Sequence, residues 1–244
     1  MNIETSLGRI RTQLSGMERM TRILRAEIES QIGGFDPAAL DQETEVPNGL
    51  ASLFREAAPH SPQAADPYTH FAPGVWIGLD QETGDTGATV ALKAQRRPTP
   101  GGEARGVARL SVNPVFPLAR KPRWVTLETD ISVAALKTAQ ALRIECIAFF
   151  QIGPGNSAEF PRSVTLNLRL HRPGGKTSDH LNLRLPVSTM PFDHAARVSA
   201  ATLAEIELSD VTEATVILEL PLAGTYTLHL DHFAVVALNG AGEG

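Results

Sequence analysis

Apolar residues occupy every second position over much of the chain from residue 74 to residue 240. In SVTLNLRLH (163–171), the apolar set is Val164, Leu166, Leu168 and Leu170. A period of two places alternate side chains on opposite faces of a β-strand, whereas a helix repeats every 3.6 residues. About ten such segments are separated by turns rich in Pro, Gly, Asn and Asp, and no long helical period interrupts them. This pattern restricts the chain to a mainly β fold.

We predict a two-sheet antiparallel β-sandwich of the jelly-roll type, forming a head over residues 74–244. Many short strands with frequent turns are typical of sandwiches and barrels. The segment VAALKTAQA (133–141) lacks the alternation and is expected to form a helical turn between the two sheets.

The first 32 residues follow a different period. Their apolar positions are spaced alternately by four and three residues, with Thr21 filling the one gap, which is the heptad seam of a coiled coil. The seam residues are Ile3, Leu7, Ile10, Leu14, Met17, Leu24 and Ile28. Gly33, Gly34 and Pro37 follow and are expected to end the helix. We therefore predict a mainly helical stalk over residues 1–32 that self-associates.

Two alternatives remain open for this helix. It could pack on its own domain, in which case its stripe would also include Met20, Ile23 and Ile32. It could instead lie on a membrane surface, although glutamates interrupt the basic residues of its polar face. For a self-associating helix, Leu at one seam position and Ile at the other favours more than two strands, so we expect a homo-oligomer, and a trimer in particular.

Residues 33–73 have the composition of a linker, with six prolines among Asp, Ala and Gly. One exception is GLASLFREAA (49–58), where Leu50, Leu53 and Phe54 would share one face of a short helix. We predict a Pro-rich linker between stalk and head that contains this short helix.

Charge and composition exclude several function classes. The formal net charge is −5, and no run of basic residues exceeds two, so we expect no nucleic-acid partner. No stretch approaches 18 consecutive apolar residues, so we expect no membrane span. Cys146, the single cysteine, lies in the apolar run IECIAFF and is interpreted as a buried structural thiol.

Short motifs that imitate cofactor sites do not hold up. GGKTS (174–178) lacks the earlier glycine of a phosphate-binding loop and lies in a hairpin. In HLDH (229–232), strict alternation would send His229 and Asp231 to one face and His232 to the other, which leaves too few ligands for a metal. We expect no cofactor and no metal.

The later strands resemble those of a known class of β-sandwich. The progression from RWVTLETDI through ALRIECIAFF and VTLNLRL ends in ATVILELPLAGTYTLHLDHFAVVAL. There a Gly turn at Gly224 precedes a strand that carries Asp231 just before a closing apolar run. This rhythm is similar to that of carbohydrate-binding modules. The resemblance implies a sandwich fold, and it makes sugar binding an expectation to be tested at the level of a site.

The hairpin SVTLNLRLHRPGGKTSDHLNLRLPV is the best candidate for a ligand surface. If alternation holds on both strands, one face is apolar and the other is a polar array, which could equally be an ordinary solvated face. The array consists of Asn167, Arg169, His171, His180, Asn182 and Arg184. Such groups hydrogen-bond hydroxyls and bind carboxylates, so an acidic glycan held by the two arginines is the favoured ligand. Trp76 and Trp124 lie in apolar strand contexts and are expected in the core.

These observations predict a non-enzymatic, oligomeric binding protein whose head recognises a surface polysaccharide. The N-terminus shows no secretory signal, so synthesis in the cytoplasm is expected. An attachment spike or fibre of a phage-like particle, a virion component released by lysis, fits both the stalk and that absence. Two alternatives are a purely structural assembly protein and a glycan-processing enzyme or its accessory subunit.

The stalk can be tested by charge. We expect the wild-type chain to have the mass of a trimer in light scattering, and a chain with Leu7→Lys and Leu14→Lys to be monomeric, because the seam cannot bury ammonium groups. Thr12→Lys, outside the seam, is the control and should keep the wild-type mass. A monomeric wild-type chain would contradict the stalk.

Overall fold

The computed structural model describes residues 42–56, 60–80, 88–96, 107–116, 121–153, 160–222 and 224–239. The helix predicted for residues 1–32 lies outside these residues. Thr44–Leu238 form one compact unit, to which nearly all of the described residues belong. Of the other unit, Met1–Glu43 with Asn239–Gly244, the structure describes only Gln42, Glu43 and Asn239.

The described residues contain thirteen strands and three short α-helices. The strands are β1 Gln42–Glu45, β2 His60–Ala64, β3 His70–Ala72, β4 Val75–Leu79, β5 Thr89–Arg96, β6 Val107–Val115, β7 Val125–Ile131, β8 Ala141–Ile152, β9 Ser163–Arg172, β10 Lys176–Pro186, β11 Phe192–Val198, β12 Glu213–Glu219 and β13 Tyr226–Asn239. The helices are α1 Gly49–Glu56, α2 Val133–Thr138 and α3 Ala200–Ala204, and a 3-10 turn, Pro173–Gly175, joins β9 to β10.

The strands form two antiparallel sheets. The first sheet has the order β11-β8-β13-β6-β5-β2, with β1 also pairing with β13. The second sheet has the order β10-β9-β12-β7-β4-β3. Every pairing along these two paths is antiparallel. The predicted mainly β, two-sheet sandwich is therefore confirmed.

Alternation produces the core, because each strand turns one set of side chains towards the opposite sheet. The rings of Phe150, Phe160 and Tyr226 pack within 5.0–5.8 Å of one another, and the Tyr226 hydroxyl donates to the Pro221 carbonyl at 2.8 Å. Cys146 is 2% exposed, and burial raises the pKa of its thiol to about 12. The thiol therefore stays protonated and acts as a small apolar side chain.

Residues 42–73 carry more structure than their linker-like composition predicts. Val46 is fully buried, and Leu50, Leu53 and Phe54 of α1 belong to the core. Asn48 caps α1, since its side-chain oxygen accepts from the Ala51 amide at 2.9 Å. Pro62 is compatible with β2 because β2 is an edge strand, and edge strands tolerate a residue without an amide hydrogen.

The helices of this unit are short connectors. α2 lies within the segment expected to form a helical turn, and the Ser132 hydroxyl accepts from the Ala135 amide at its start. Among the described residues, no helix combines the length and apolarity needed to cross a membrane.

A β-bulge in β13 changes the expected geometry of HLDH. The register to β8 shifts between Leu230 and His232, so two residues of β13 oppose one residue of β8. His232 therefore shares the outer face of the first sheet with Asp231, and the expected separation of the two is wrong. Asp231 binds Arg109 through two hydrogen bonds of 2.6 and 2.7 Å.

The same bulge brings charges together around Glu145, also on the outer face of the first sheet. The His232 ring lies 3.9 Å from its carboxylate, and Arg143 donates a hydrogen bond to it. Together they lower the pKa of Glu145 from 4.5 to about 2. A carboxyl group whose pKa falls on folding stabilises the folded state above its unfolded pKa and loses that contribution as the pH drops towards the folded value.

We accordingly expect the free energy of unfolding of the wild-type chain to fall more between pH 5 and pH 2 than that of Glu145→Gln, which has no charge to lose. Urea unfolding at each pH measures the difference. Glu56→Gln, at an exposed carboxylate of α1, is the control and should follow the wild-type profile. Parallel profiles for wild type and Glu145→Gln would contradict the role of Glu145.

Candidate functional site

The register of the second sheet sets a row of side chains across its outer face. His70 opposes Trp76, Trp76 opposes Glu128, Glu128 opposes Ile217, and Ile217 opposes Asn167. These residues come from β3, β4, β7, β12 and β9, so the row crosses five strands. Directly opposed residues lie on the same face, with Cβ atoms about 5 Å apart.

Trp76 is held in one orientation by its neighbours in this row. Its ring stacks on His70, with centroids 5.0 Å apart and planes 8° from parallel. Its indole Nε1 donates to a Glu128 oxygen at 3.1 Å. The ring is partly exposed, so an oriented aromatic surface lies on the outer face of the sheet.

Glu128 is a buried carboxylate, 6% exposed, with a donor on each oxygen. Besides Trp76, the Thr126 hydroxyl donates to it at 2.6 Å. A buried carboxylate is costly unless hydrogen bonds compensate for lost solvation, and these two donors supply that compensation.

Gly78 makes room for the Glu128 side chain. A Cβ at this position would lie 2.2 Å from a Glu128 carboxylate oxygen and 2.4 Å from the Thr126 hydroxyl oxygen. The carboxylate therefore lies across the glycine, in space that any other residue would fill.

Tyr68 adds a second aromatic residue near this face. It is 47% exposed, and its hydroxyl donates to the Leu79 carbonyl at 2.8 Å. Leu79 follows Trp76 on β4. Burial raises the pKa of Tyr68; the charge of Glu128 raises it further and that of Arg169 lowers it. Both charged groups thus lie within electrostatic range of the Tyr68 ring.

A second row lies beside the first. Asp130 opposes Thr215, Thr215 opposes Arg169, and Arg169 opposes Asp179 on the edge strand β10. Arg169 donates to both carboxylate oxygens of Asp179, at 2.7 and 2.8 Å. These hydrogen bonds lower the pKa of Asp179 and raise that of Arg169, so both stay charged and paired.

The structure brings most of the predicted polar array together. On β9, Asn167, Arg169 and His171 all occupy the outer face. On β10, Arg184 opposes Thr165 and donates to its hydroxyl at 3.1 Å, which keeps Arg184 on that face as well.

His180 is separated from the array, because β10 does not alternate regularly. The register shifts between His180 and Leu183, so His180 opposes Leu168 of the apolar face and approaches the Ser178 hydroxyl at 2.8 Å. Asn182 lies in the resulting bulge, where its backbone amide donates to the Asn167 side-chain oxygen at 3.0 Å.

Sequence reasoning missed the aromatic half of this face. Trp76 was expected in the core, yet the alternation that identifies GVWIGL as a strand also separates Trp76 and Gly78 from Val75, Ile77 and Leu79. Strict application of the period would have placed Trp76 outside. Glu128 gave no comparable signal, since one glutamate in a strand usually faces solvent. Trp124, the other expected core residue, is partly buried and precedes β7.

The part of the chain that the structure describes contains no group of three or more His, Cys, Asp or Glu side chains placed to hold a metal ion. Prediction of a metal-free site therefore stays a prediction for the whole chain.

No family model matches the sequence. No curated protein matches it either. Solved structures do match, and several are carbohydrate-binding modules, the class whose fold the sequence resembles. The chain is similar to a CBM4 module at 11% identity and TM-score 0.47, over 78% of this chain and 99% of that one.

A CBM22-1 xylan-binding domain of Xyn10C from Paenibacillus barcinonensis matches at 12% identity and TM-score 0.38, over 77% of this chain and 99% of that one. The Stig cyclase FisC from Fischerella sp. TAU matches at 9% identity and TM-score 0.41, over 82% of this chain and 100% of that one. These likenesses concern the fold.

Gly78→Ala tests the arrangement around Trp76. We expect the added methyl group to displace the Glu128 carboxylate, release the indole hydrogen bond and destabilise the fold by about 1–3 kcal/mol, since a buried carboxylate then loses its donors. Urea unfolding and tryptophan fluorescence measure the two effects. Unchanged stability and an unchanged emission maximum would contradict this role of Gly78.

Proposed function

We propose that this chain is a non-enzymatic polysaccharide-binding protein whose site is the outer face of the second sheet, centred on Trp76. The observation that carries the proposal is the hydrogen bond between Trp76 and the buried Glu128. A large aromatic ring placed on a surface and fixed there by a buried carboxylate is an expensive arrangement for a residue that only contributes to folding.

The surroundings of Trp76 suit a sugar chain. The C–H face of a sugar ring packs against an aromatic surface, and its hydroxyls both donate and accept hydrogen bonds. Tyr68 offers another exposed aromatic residue near the row, and Arg169 and Asp179 offer polar atoms beside it. The site thus combines apolar surface with convergent polar groups, which is typical of small-ligand sites.

The charges of the face favour a neutral polysaccharide over the acidic glycan expected from sequence. Arg169 is already neutralised by Asp179, and Arg184 already donates a hydrogen bond to the Thr165 hydroxyl. Glu128 adds a buried negative charge close to Trp76. A ligand carboxylate near Trp76 would therefore meet like charge, and it would have to compete with Asp179 for the Arg169 guanidinium.

The predicted coiled-coil stalk extends this proposal to an oligomer. Three heads on one stalk would raise the effective concentration of each site and convert weak single-site binding into useful avidity. An attachment spike or fibre of a phage-like particle remains the setting that we propose for such an oligomer.

Binding should be measured by calorimetry with soluble neutral polysaccharides and with acidic ones, at fixed salt. We expect Trp76→Ala to weaken binding by at least about tenfold, because an aromatic contact and its orientation are lost together. Phe149→Ala is the matched control: this aromatic residue lies against His229, with ring centroids 4.6 Å apart, on the outer face of the first sheet. It should bind as the wild type does.

The other outcomes separate the alternatives. Tighter binding of acidic than of neutral polymers would overturn the assignment of ligand charge. Absence of binding to any polysaccharide would favour a structural assembly protein. Release of reducing ends during incubation would establish a glycan-processing enzyme.

A further inference from the structure

Two residues in the edge strand β10 adopt backbone conformations that residues other than glycine normally avoid. Leu181 has φ 81° and Asn182 has φ 43°. The left-handed region is unfavourable for residues other than glycine, although asparagine tolerates it better than leucine does. Strained positions persist only where the surrounding structure enforces them, and they cluster at functional sites.

The strain produces a bulge that changes which side chains face outward. Asp179 and Arg184 are five residues apart, so a regular strand would place them on opposite faces. The shift between His180 and Leu183 inserts an extra residue, and both Asp179 and Arg184 consequently reach the outer face, opposite Arg169 and Thr165.

The side chain of Asn167 holds this bulge from the neighbouring strand. Its oxygen accepts from the Asn182 amide at 3.0 Å, and its nitrogen donates to Glu219 at 3.4 Å. The side-chain amide of Asn167 on β9 thus links the bulge of β10 to β12. Leu181 adds an apolar anchor, since its side chain packs partly buried against the core.

We infer that Asn167 is a positioning residue for ligand binding: it holds the Leu181–Asn182 bulge, which assembles the Arg169–Asp179 and Arg184–Thr165 pairs into the rim of the outer face. The inference rests on the proposed function. It assigns Asn167 a role through the bulge rather than through direct contact with ligand. The rim, in turn, determines which polymers fit beside Trp76.

Asn167→Leu tests this in the full chain. The substitution keeps similar volume and removes both side-chain hydrogen bonds. We expect the affinity for the polysaccharide that wild type binds most tightly to fall about tenfold, and amide hydrogen exchange at residues 181–183 to accelerate.

Asn113→Leu is the control, because it makes the same substitution on the outer face of the first sheet and removes the 2.9 Å hydrogen bond that Asn113 donates to the Thr227 hydroxyl. It should leave affinity unchanged. Equal losses of affinity in the two variants would mean that destabilisation alone weakens binding, and would overturn the inference.

The double variant Asn167→Leu with Asn182→Gly separates positioning from direct contact. Glycine adopts positive φ readily, so the bulge should form without the hydrogen bond to the Asn167 side chain. Most of the lost affinity should then return. Failure to recover affinity would mean that Asn167 itself contacts the ligand, and would overturn the positioning role.

The result for wild type distinguishes this inference from the function on which it rests. If wild type binds no polysaccharide, the proposed function fails and the inference fails with it. If wild type binds and Asn167→Leu binds equally well, the inference alone fails.

Discussion

In the second sheet, backbone hydrogen bonds hold Trp76 beside Glu128, Glu128 beside Ile217, and Ile217 beside Asn167. Each of these neighbours depends on the register of antiparallel strands that are far apart in sequence. A slip of one residue in any pair would move the whole outward set of that strand into the core. The oriented indole, the compensated carboxylate and the clamp on the bulge are therefore consequences of one pairing pattern, which the apolar inward set enforces.

Buried charge in this protein is compensated in two different ways. Asp80, 2% exposed, accepts from the backbone amide and the guanidinium of Arg123. Within the described residues, the side chains that donate hydrogen bonds to Glu128 are the neutral Trp76 and Thr126 instead of a cation. That difference matters at the outer face, because a carboxylate held by neutral donors keeps its negative potential, whereas a salt bridge largely cancels it. The first mode fixes the segment before β7, and the second fixes the orientation of Trp76 on a surface.

The sequence predicted the sandwich because alternation reports directly on which side chains face the core. It also predicted the β9 half of the candidate face, since Asn167, Arg169 and His171 follow that alternation. It did not predict the position of His180, because a bulge depends on cross-strand support that local pattern does not encode. Trp76 was expected in the core because it is apolar, although the alternation of β4 places it on the outer face. The linker predicted for residues 33–73 rested on proline content, which outweighed the few apolar residues of 42–73 that enter the core.

The reactivity of Cys146 reports whether the sandwich has opened. It is the only cysteine in the sequence, and it is 2% exposed with a thiol pKa of about 12. Folded chains therefore cannot be cross-linked through sulfur, even under oxidising conditions, because neither thiolate nor access is provided. A chain whose sheets have separated exposes that thiol. Disulfide-linked dimers and alkylated thiols in a preparation would thus count molecules that had opened, and their accumulation would follow the opening of the sandwich rather than any chemistry at its surface.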